Sequence, residues 1–355
     1  MYIALRDLRF ARGRFVLIGT VVALITVLVG FLSGLTGGLA VQNISAVVGI
    51  PGDRVVFADP GADDGPSFAE SRVTVEQASE WESTAGVESV HPLGISQTRA
   101  ESEDTVASIA VFGVQPDFAP QSPVASGELV LSRPAADELD AHLGDPVTIA
   151  GTAYTVVGIE GDDWYSHTPV VRMTLADWQA YAAATGDPDA FATVLAVTGS
   201  PDWDAADSRI GTRSTTIVGS LTALSAFRSE IGSLLLMVAM LFGISALVIG
   251  AFFTVWTMQR TPDIAILKAL GARTSVLVRD ALGQAALVLV VGIGVGIGVV
   301  SILGALAGAA LPFLLSPLTT VLPAVLMIVL GLAGAAFALR SVTSADPLTA
   351  LGSNR

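Results

Sequence analysis

Few residues in this chain have the types and spacing that catalysis or metal binding requires. The separations of His91, His142 and His167 match no helical or hairpin metal site, so we interpret them as scattered surface residues. No serine, histidine and carboxylate form a recognisable catalytic arrangement. The only lysine, Lys268, lies in Ala-Ile-Leu-Lys-Ala, whereas a phosphate-binding P-loop requires Gly-x-x-x-x-Gly-Lys-Ser/Thr. The sequence therefore predicts no enzyme activity and no ATPase in this chain.

Two ionisable residues stand out because they adjoin a long apolar run. Arg228 and Glu230 directly precede residues 231–258, which carry no charge. Ionisable groups inside a membrane are energetically expensive and often functional. Two interpretations stay open: the pair marks the boundary between membrane and water, or it contacts a polar substrate in a cleft of the outer leaflet.

Apolar side chains near this pair are weaker candidates for a binding site. Met237 lies two turns beyond Glu230 on about the same helical face, and a methionine sulfur can ligate iron. Ordinary packing is nevertheless the favoured interpretation of Met237 and Met240. Phe31 and Phe227 are further candidates for the wall of a flat apolar pocket. Trp164, Tyr165 and His167 indicate a packed aromatic loop.

Composition and length indicate a membrane protein with four transmembrane helices. The chain has 355 residues, of which 52% are hydrophobic, and a mean hydropathy of +0.67. Uncharged runs occupy residues 15–39, 231–258 and 281–339, and the last run is long enough to cross the bilayer twice. Prolines and polar residues at 311–323 predict the turn between those two crossings. The first run is longer than the core of a signal peptide, which favours a retained anchor.

The distribution of charge predicts the orientation. Ten of the 18 basic residues, and only four of the 32 acidic ones, lie before the first span, between the second and third, or after the fourth. By the positive-inside rule these segments are cytoplasmic. The segment between the first two spans is then extracellular, and residues 42–230 hold 28 acidic and eight basic residues. Such an acidic domain is unsuited to nucleic-acid binding.

The extracellular segment is long enough to fold on its own core, and its pattern predicts a mixed α+β domain with two lobes. Thr74 and Gln77 form a capping-box pattern at the start of a short helix. The chain contains no cysteine, which excludes disulfides and cysteine-ligated metals. Strands are expected at 54–58, 106–114, 127–132, 144–151, 153–159 and 191–197, and helices at 74–84, 134–142 and 173–184.

A short amphipathic helix is predicted in the cytoplasmic loop between the second and third spans. Ile264, Leu267 and Leu270 recur at near-helical spacing, with Arg260 and Lys268 nearby. Thr261 precedes Pro262 as the expected cap, and Gly271 is the expected stop. Such a helix can lie on the bilayer surface or dock into a groove of a partner protein.

Three segments resemble the MacB/FtsX family of ABC transporter permease subunits. The start, Ala-Leu-Arg-Asp-Leu-Arg-Phe-Ala-Arg-Gly-Arg-Phe at 4–15, is similar to the family's elbow helix. The loop sequence Asp-Ile-Ala-Ile-Leu-Lys-Ala-Leu-Gly-Ala at 263–272 is similar to the segment that docks on the ATPase. Asp263 replaces the family's usual glutamate there. The ending Asp-Pro-Leu-Thr-Ala-Leu at 346–351 is similar to the family's terminal motif.

The resemblance implies a membrane protein with four transmembrane α-helices and a mixed α+β extracellular domain inserted between the first and second. The implied boundaries are an elbow helix at 1–14, spans at 15–41, 228–258, 275–311 and 321–340, the extracellular domain at 42–227, the coupling loop at 259–274, an outer turn at 312–320 and a tail at 341–355. The implied location is the plasma membrane, with multiple passes.

The resemblance also implies partners. A separate ABC ATPase subunit would carry ATP and Mg²⁺, and it would contact Arg260, Asp263, Ile264, Leu267, Lys268 and Leu270. Four helices are too few to enclose a path, so a homodimer with two ATPases is expected. Gly30, Gly34 and Gly38 are assigned to the dimer interface by analogy, whereas Gly292, Gly294, Gly296 and Gly298 fit a dimer or packing within one subunit equally well.

Within the family, the short outer domain and residues 37–57 resemble the haem-exporter permeases of Gram-positive bacteria. Haem is then the leading transported substrate, and no intrinsic cofactor is expected. Under this hypothesis Glu230 would meet the porphyrin iron or a polar substrate group, and Arg228 would pair with a propionate. The alternative is an FtsX-like regulator that transmits ATPase motion to an extracellular partner and transports nothing.

Overall fold

A computed structural model describes residues 12–59, 61, 65–103, 105–259, 266, 273–308 and 311–343. The chain divides into two compact units. The helical unit comprises Met1–Gly38 and Ser233–Arg355, and the α/β unit comprises Leu39–Gly232. Apart from Ile266, the predicted coupling helix lies outside the described residues, as do the terminal motif and most of the elbow helix.

The secondary-structure elements of the described residues are named in chain order. They are α1 (Arg12–Val48), β1 (Arg54–Ala58), α2 (Val75–Glu82), β2 (Val87–Ser102), β3 (Thr105–Val114), β4 (Glu128–Leu131), α3 (Arg133–Leu139), β5 (Pro146–Ile149), β6 (Thr152–Ile159), β7 (Trp164–Tyr165), β8 (Thr168–Thr174), α4 (Leu175–Ala184), β9 (Val194–Gly199), α5 (Trp203–Ile210), β10 (Thr212–Thr216), α6 (Ile217–Ser220), α7 (Ser225–Gln259), α8 (Thr274–Ala307) and α9 (Pro317–Thr343).

Four helices of the described chain, α1, α7, α8 and α9, are long and apolar enough to cross a membrane, which confirms the four predicted spans. The turn predicted at 311–323 is too long, because Pro323 lies inside α9, within the span predicted at 321–340. The helix instead starts with Pro317, and Ser316 Oγ accepts a hydrogen bond from Thr319 N at 3.2 Å. Proline is well tolerated at a first helical position, where its missing N–H is not needed.

The segment between α8 and α9 packs against glycines of α1. Leu314 N donates to Gly34 O at 3.0 Å, and the Phe313 ring occupies the space that a Cβ at Gly34 would need. A Cβ at Gly38 would lie 1.9 Å from the Pro312 carbonyl oxygen. A Cβ at Gly30 would lie 3.0 Å from Cγ2 of Val300 in α8.

These contacts correct the assignment of the first-span glycines to a dimer interface. The glycines of α1 allow close packing within one chain, and Gly292 and Gly296 of α8 do the same from the other side, facing α1. At Gly294 and Gly298, no described atom lies within 4 Å of the position that a Cβ would take, so these two glycines face away from the bundle.

The α/β unit contains a ten-stranded sheet with two lobes. Nine strands follow the order β10-β1-β9-β2-β3-β8-β4-β6-β5, and β7 pairs with β8. The long strand β2 belongs to both lobes: residues 87–93 pair with β9, and residues 94–102 pair with β3. Because β2 also pairs with β5, the strands of the second lobe close into a ring. The predicted two-lobed α+β class is therefore confirmed.

Local signals in the sequence account for many of these elements. Thr74 caps α2, and the reciprocal bond from Thr74 N to Gln77 Oε1 at 3.1 Å completes the predicted capping box. Gly151 has a φ of 83° between β5 and β6, which fits the turn predicted there. Six elements were not predicted from the sequence: β2, β7, β8, α5, β10 and α6.

A cross-strand pair of glycines makes room for a buried tryptophan. Gly94 on β2 is the register partner of Gly113 on β3. A Cβ would lie 2.1 Å from the Trp178 ring at Gly94 and 2.3 Å from Trp178 Cβ at Gly113. The indole therefore packs directly on the backbone of both strands, and its Nε1 donates to Ser96 Oγ at 3.0 Å.

We predict that Gly94→Ala destabilises the α/β unit, because the added methyl group must displace the Trp178 ring. Overpacking of a core typically costs about 1–3 kcal/mol. Thermal unfolding of the full chain, followed by tryptophan fluorescence, measures the effect. Gly65→Ala is the control, since no described atom lies within 4 Å of its Cβ position. Equal unfolding temperatures for the two variants would contradict this packing argument.

Candidate functional site

Three polar side chains from distant parts of the chain meet in the α/β unit. Asn43 lies near the end of α1, His167 in the turn between β7 and β8, and Glu230 in the second turn of α7. His167 Nε2 lies 3.0 Å from Glu230 Oε2 and 3.2 Å from Glu230 Oε1. Asn43 Nδ2 donates to Glu230 Oε2 at 3.2 Å. We call these three residues the polar cluster.

The backbone of the β7–β8 turn explains why His167 reaches this position. Its two central residues, Ser166 and His167, have φ values of 48° and 65°. Two successive positive φ angles are typical of a type I′ turn, which usually contains glycine or asparagine. Other residues adopt this conformation only where surrounding contacts enforce it.

Hydrogen bonds from the turn to α1 hold Ser166 and His167 in this conformation. Ser166 N donates to Asn43 O, and His167 N donates to Gln42 O, both at 2.9 Å. Trp164 N donates to Ser45 Oγ at 2.8 Å, and Ser45 Oγ returns a bond of 3.3 Å to Trp164 O. The hairpin is therefore attached to the last turns of α1, which fixes the direction of the His167 ring.

The geometry assigns a proton to His167 Nε2. A carboxylate only accepts hydrogen bonds, so the nitrogen facing Glu230 at 3.0 Å must donate. Asn43 Nδ2 is also a donor, and its 3.4 Å approach to the same nitrogen is then a contact without a hydrogen bond. Glu230 thus accepts from an imidazole and an amide.

One atom of the polar cluster lacks a partner. Asn43 is 2% exposed, and its Oδ1 accepts no hydrogen bond from the described residues. A buried acceptor without a donor typically costs about 1–3 kcal/mol. A ligand or water that donates to Oδ1 would recover this loss, which makes the polar cluster a candidate site.

Arg228 and Phe227 belong to the same unit as the polar cluster. Arg228 is exposed and forms no ion pair with the described part of the chain. Phe227 packs against the core of the α/β unit. Phe31 packs on Phe313 in the helical unit, with centroids 5.1 Å apart, and the wall that Phe31 was predicted to share with Phe227 stays a prediction.

The roles of the two methionines and of the coupling residues stay predictions. Met237 and Met240 are exposed in the helical unit, and their contact with a substrate stays a prediction. The coupling residues all lie outside the described residues, which applies to Arg260, Asp263, Ile264, Leu267, Lys268 and Leu270.

His167 is partly exposed, but unlike an isolated surface histidine it has a partner. Its side chain is 31% exposed and forms an ion pair with Glu230 when protonated. The linear spacing of the three histidines carried no information, because the partners of His167 lie 124 and 63 residues away. A tryptophan, a tyrosine and a histidine within four residues of a loop were the available signal.

Comparison with known proteins supports the membrane and extracellular assignments together. The family model for the MacB-like periplasmic core domain matches residues 16–213, which is more than half of the chain. The model for the FtsX-like permease C-terminal domain matches residues 231–347.

Two similar proteins align with nearly the whole length of this chain. "Putative hemin transport system permease protein HrtB" of Staphylococcus haemolyticus is 28% identical, over 99% of each chain. "Uncharacterized ABC transporter permease Rv0072" of Mycobacterium tuberculosis is 24% identical, also over 99% of each chain. Among solved structures, the periplasmic region of MacB from Actinobacillus actinomycetemcomitans matches this chain with a TM-score of 0.36 and 13% identity. The match covers 48% of this chain and 92% of that chain.

Four long apolar helices, the sheet domain between the first and second, and the two family matches agree with one another. They describe a multi-pass protein of the plasma membrane whose α/β unit is extracellular. ABC permeases of this kind work with an ATPase on a separate subunit. The chain belongs to the MacB/FtsX-type family of ABC transporter permease subunits.

Proposed function

We propose that this chain is the permease half of an ATP-driven exporter that moves haem, or a similar amphipathic molecule, from the membrane to the cell exterior. The observation that carries the proposal is the polar cluster, in which an imidazole and a carboxylate meet beside a buried amide oxygen. The similarity to proteins named as hemin transport permeases supports the same substrate.

The polar cluster suits a haem substrate chemically. Imidazole nitrogen and carboxylate oxygen are both established ligand types for iron. In the structure His167 and Glu230 satisfy each other, so a bound ligand must compete with their hydrogen bond. Glu230 directly precedes the uncharged run of α7, and a molecule that leaves the outer leaflet along that run would meet Glu230 first.

The proposed contact of Arg228 with a propionate requires a ligand that reaches around α7. Residues two positions apart on an α-helix point about 200° apart. Arg228 and Glu230 therefore face opposite sides of α7, and an arginine from a second copy would serve a propionate equally well. The role of Arg228 stays a prediction.

We further propose that two copies form the transporter together with two ATPase subunits. Only 11% of the most apolar window of α7 is buried within one chain, against 33% for each of the other three spanning helices. A second copy would cover the exposed large side chains of α7. They include Leu235, Leu236, Met237, Met240, Ile244 and Leu247.

The first prediction from this proposed function concerns the substrate. Glu230→Gln should weaken haem binding about ten- to a hundredfold, because loss of a charge-assisted contact costs about 1.5–3 kcal/mol. A spectral titration of purified protein in nanodiscs measures the affinity through the Soret band. Glu88→Gln, an exposed carboxylate on β2, is the control and should bind haem like the unmodified protein. An affinity within twofold for Glu230→Gln would remove Glu230 from the site.

The second prediction concerns energy coupling. Replacement of Leu267 and Leu270 by aspartate should abolish co-purification with the ATPase subunit, because charges cannot enter an apolar docking groove. Ser275→Asp, an exposed position at the start of α8, is the control and should retain the ATPase. Retention of the ATPase by the double variant would contradict the docking role of this loop.

The third prediction concerns orientation. Val124→Cys, at a position that is 73% exposed on the α/β unit, should react with a membrane-impermeant thiol reagent on intact cells. Ser275→Cys should react only after the membrane is permeabilised. The background is clean because the native chain has no cysteine. Reversed labelling would contradict export as the direction of transport.

A further inference from the structure

An apolar groove runs along the helical unit, between α1 and α8. It has a volume of about 700 Å³ and follows residues 15–27 of α1 and residues 287–299 of α8. Among the residues that line it, only Thr20 has a polar side chain. This volume lies within the range of about 300–1,000 Å³ that is typical of small-molecule sites.

Glycines explain why a groove forms beside the contact of these two helices. A Cβ at Gly292 of α8 would lie 2.9 Å from Val22 Cγ1, and a Cβ at Gly296 would lie 2.5 Å from Thr26 Cβ. The two helices therefore approach each other closely at these positions. Next to this contact, no described atom lies within 4 Å of the Cβ position of Gly19, so the space there is open.

Large apolar side chains on both helices present open faces to the groove. Val16 and Leu24 of α1 and Val291 and Val295 of α8 are all more than half exposed. Val288 is buried between the two helices. Inside a bilayer, association depends on van der Waals packing, and a flexible acyl chain can pack along the whole length of a narrow groove.

The length of the groove matches one leaflet of the membrane. Twelve residues at 1.5 Å per residue extend about 18 Å, and the hydrocarbon layer of one leaflet is about 15 Å thick. The extracellular α/β unit follows the end of α1, so residue 15 lies toward the cytoplasm. The groove therefore lies in the cytoplasmic leaflet.

Positive charge gathers in the sequence at the cytoplasmic end of the groove. Four arginines and one aspartate precede residue 15. Arg12, the first residue of α1, stands four, seven and eleven residues before Val16, Gly19 and Ala23 of the groove, and this spacing places position 12 on the same face of α1. Anionic phospholipids of the cytoplasmic leaflet attract arginines at the membrane surface.

We propose that the groove binds an acyl chain of an anionic phospholipid from the cytoplasmic leaflet, with the headgroup phosphate at the level of Arg12. An arginine suits this position because its guanidinium can donate to two phosphate oxygens at once. The groove includes no residue of α7, whose exposed face is proposed for the second copy, so the lipid and the second copy do not compete. The site is separate from the polar cluster and does not depend on haem transport.

Native mass spectrometry of the purified full chain, titrated with phosphatidylglycerol or with phosphatidylcholine of equal chain length, tests the proposal. Phosphatidylglycerol should bind about fivefold more tightly, which is the contribution of one arginine near an anionic headgroup. Arg12→Gln should abolish this preference. Arg279→Gln is the matched control and should retain it, because Arg279 is exposed and lies two and a half turns before Val288, on the opposite side of α8.

Gly19→Phe tests the groove itself. The new ring would occupy the groove, so the variant should bind phosphatidylglycerol at least about tenfold more weakly. Gly294→Phe is the matched control, since Gly294 also has an open Cβ position but lies outside the groove, and it should keep the lipid. Thermal unfolding shows whether both glycine variants fold, and Arg12→Gln decides the outcome if Gly19→Phe does not.

Three results would overturn the proposal. Equal affinity for the two lipids would show an unspecific lipid contact only, and unchanged phosphatidylglycerol binding in a folded Gly19→Phe would place the lipid elsewhere. Loss of the dimer in Gly19→Phe would assign the groove to a second copy. Haem titration of the same variants separates this site from the proposed transport function, because haem affinity should stay unchanged in Gly19→Phe and Arg12→Gln.

Discussion

The attachment of the β7–β8 turn to the end of α1 is the interaction on which the extracellular site depends. Two backbone N–H groups of the turn donate to carbonyl oxygens of Gln42 and Asn43, and a third N–H of the hairpin donates to Ser45. These bonds hold Ser166 and His167 at positive φ, a conformation that neither residue favours. Because the turn is fixed, the imidazole points at Glu230 and leaves Asn43 buried beneath it. The strain of the turn is thus coupled to the geometry of the polar cluster.

In both units, glycines allow large side chains to pack directly against the backbone. In the helical unit, glycines of α1 admit Phe313 and Pro312, so the segment between α8 and α9 packs tightly on α1. In the α/β unit, Gly94 and Gly113 admit Trp178, which packs on the backbone of β2 and β3. Both cases use the absence of a Cβ to place a large ring against a backbone.

Local and periodic features of the sequence predicted much of this fold. Uncharged runs indicated the four spans, the capping box at Thr74 and Gln77 indicated α2, and Gly151 indicated the β5–β6 turn. The long strand β2 was missed because it serves two lobes and its apolar residues do not alternate regularly. The glycines of α1 were assigned to a dimer by analogy, since the sequence does not show that Phe313 returns to them.

The polar cluster was only partly predictable. Glu230 stands out because a carboxylate adjoins an apolar run, and that is a local property. Its partners Asn43 and His167 are distant in sequence, and the chain offers no periodicity that joins a helix end, a hairpin turn and a second helix. Three-dimensional pairing of this kind becomes visible only when the register of β7 with β8 and the end of α1 are known.

We propose that His167 and Glu230 act together as one haem site. A double-mutant cycle in haem affinity, with His167→Ala, Glu230→Gln and the combined variant, tests it most directly. Residues that ligate and orient one ligand are coupled, so the combined variant should bind haem no more weakly than the weaker single variant. Two independent losses that simply add in the combined variant would contradict the account.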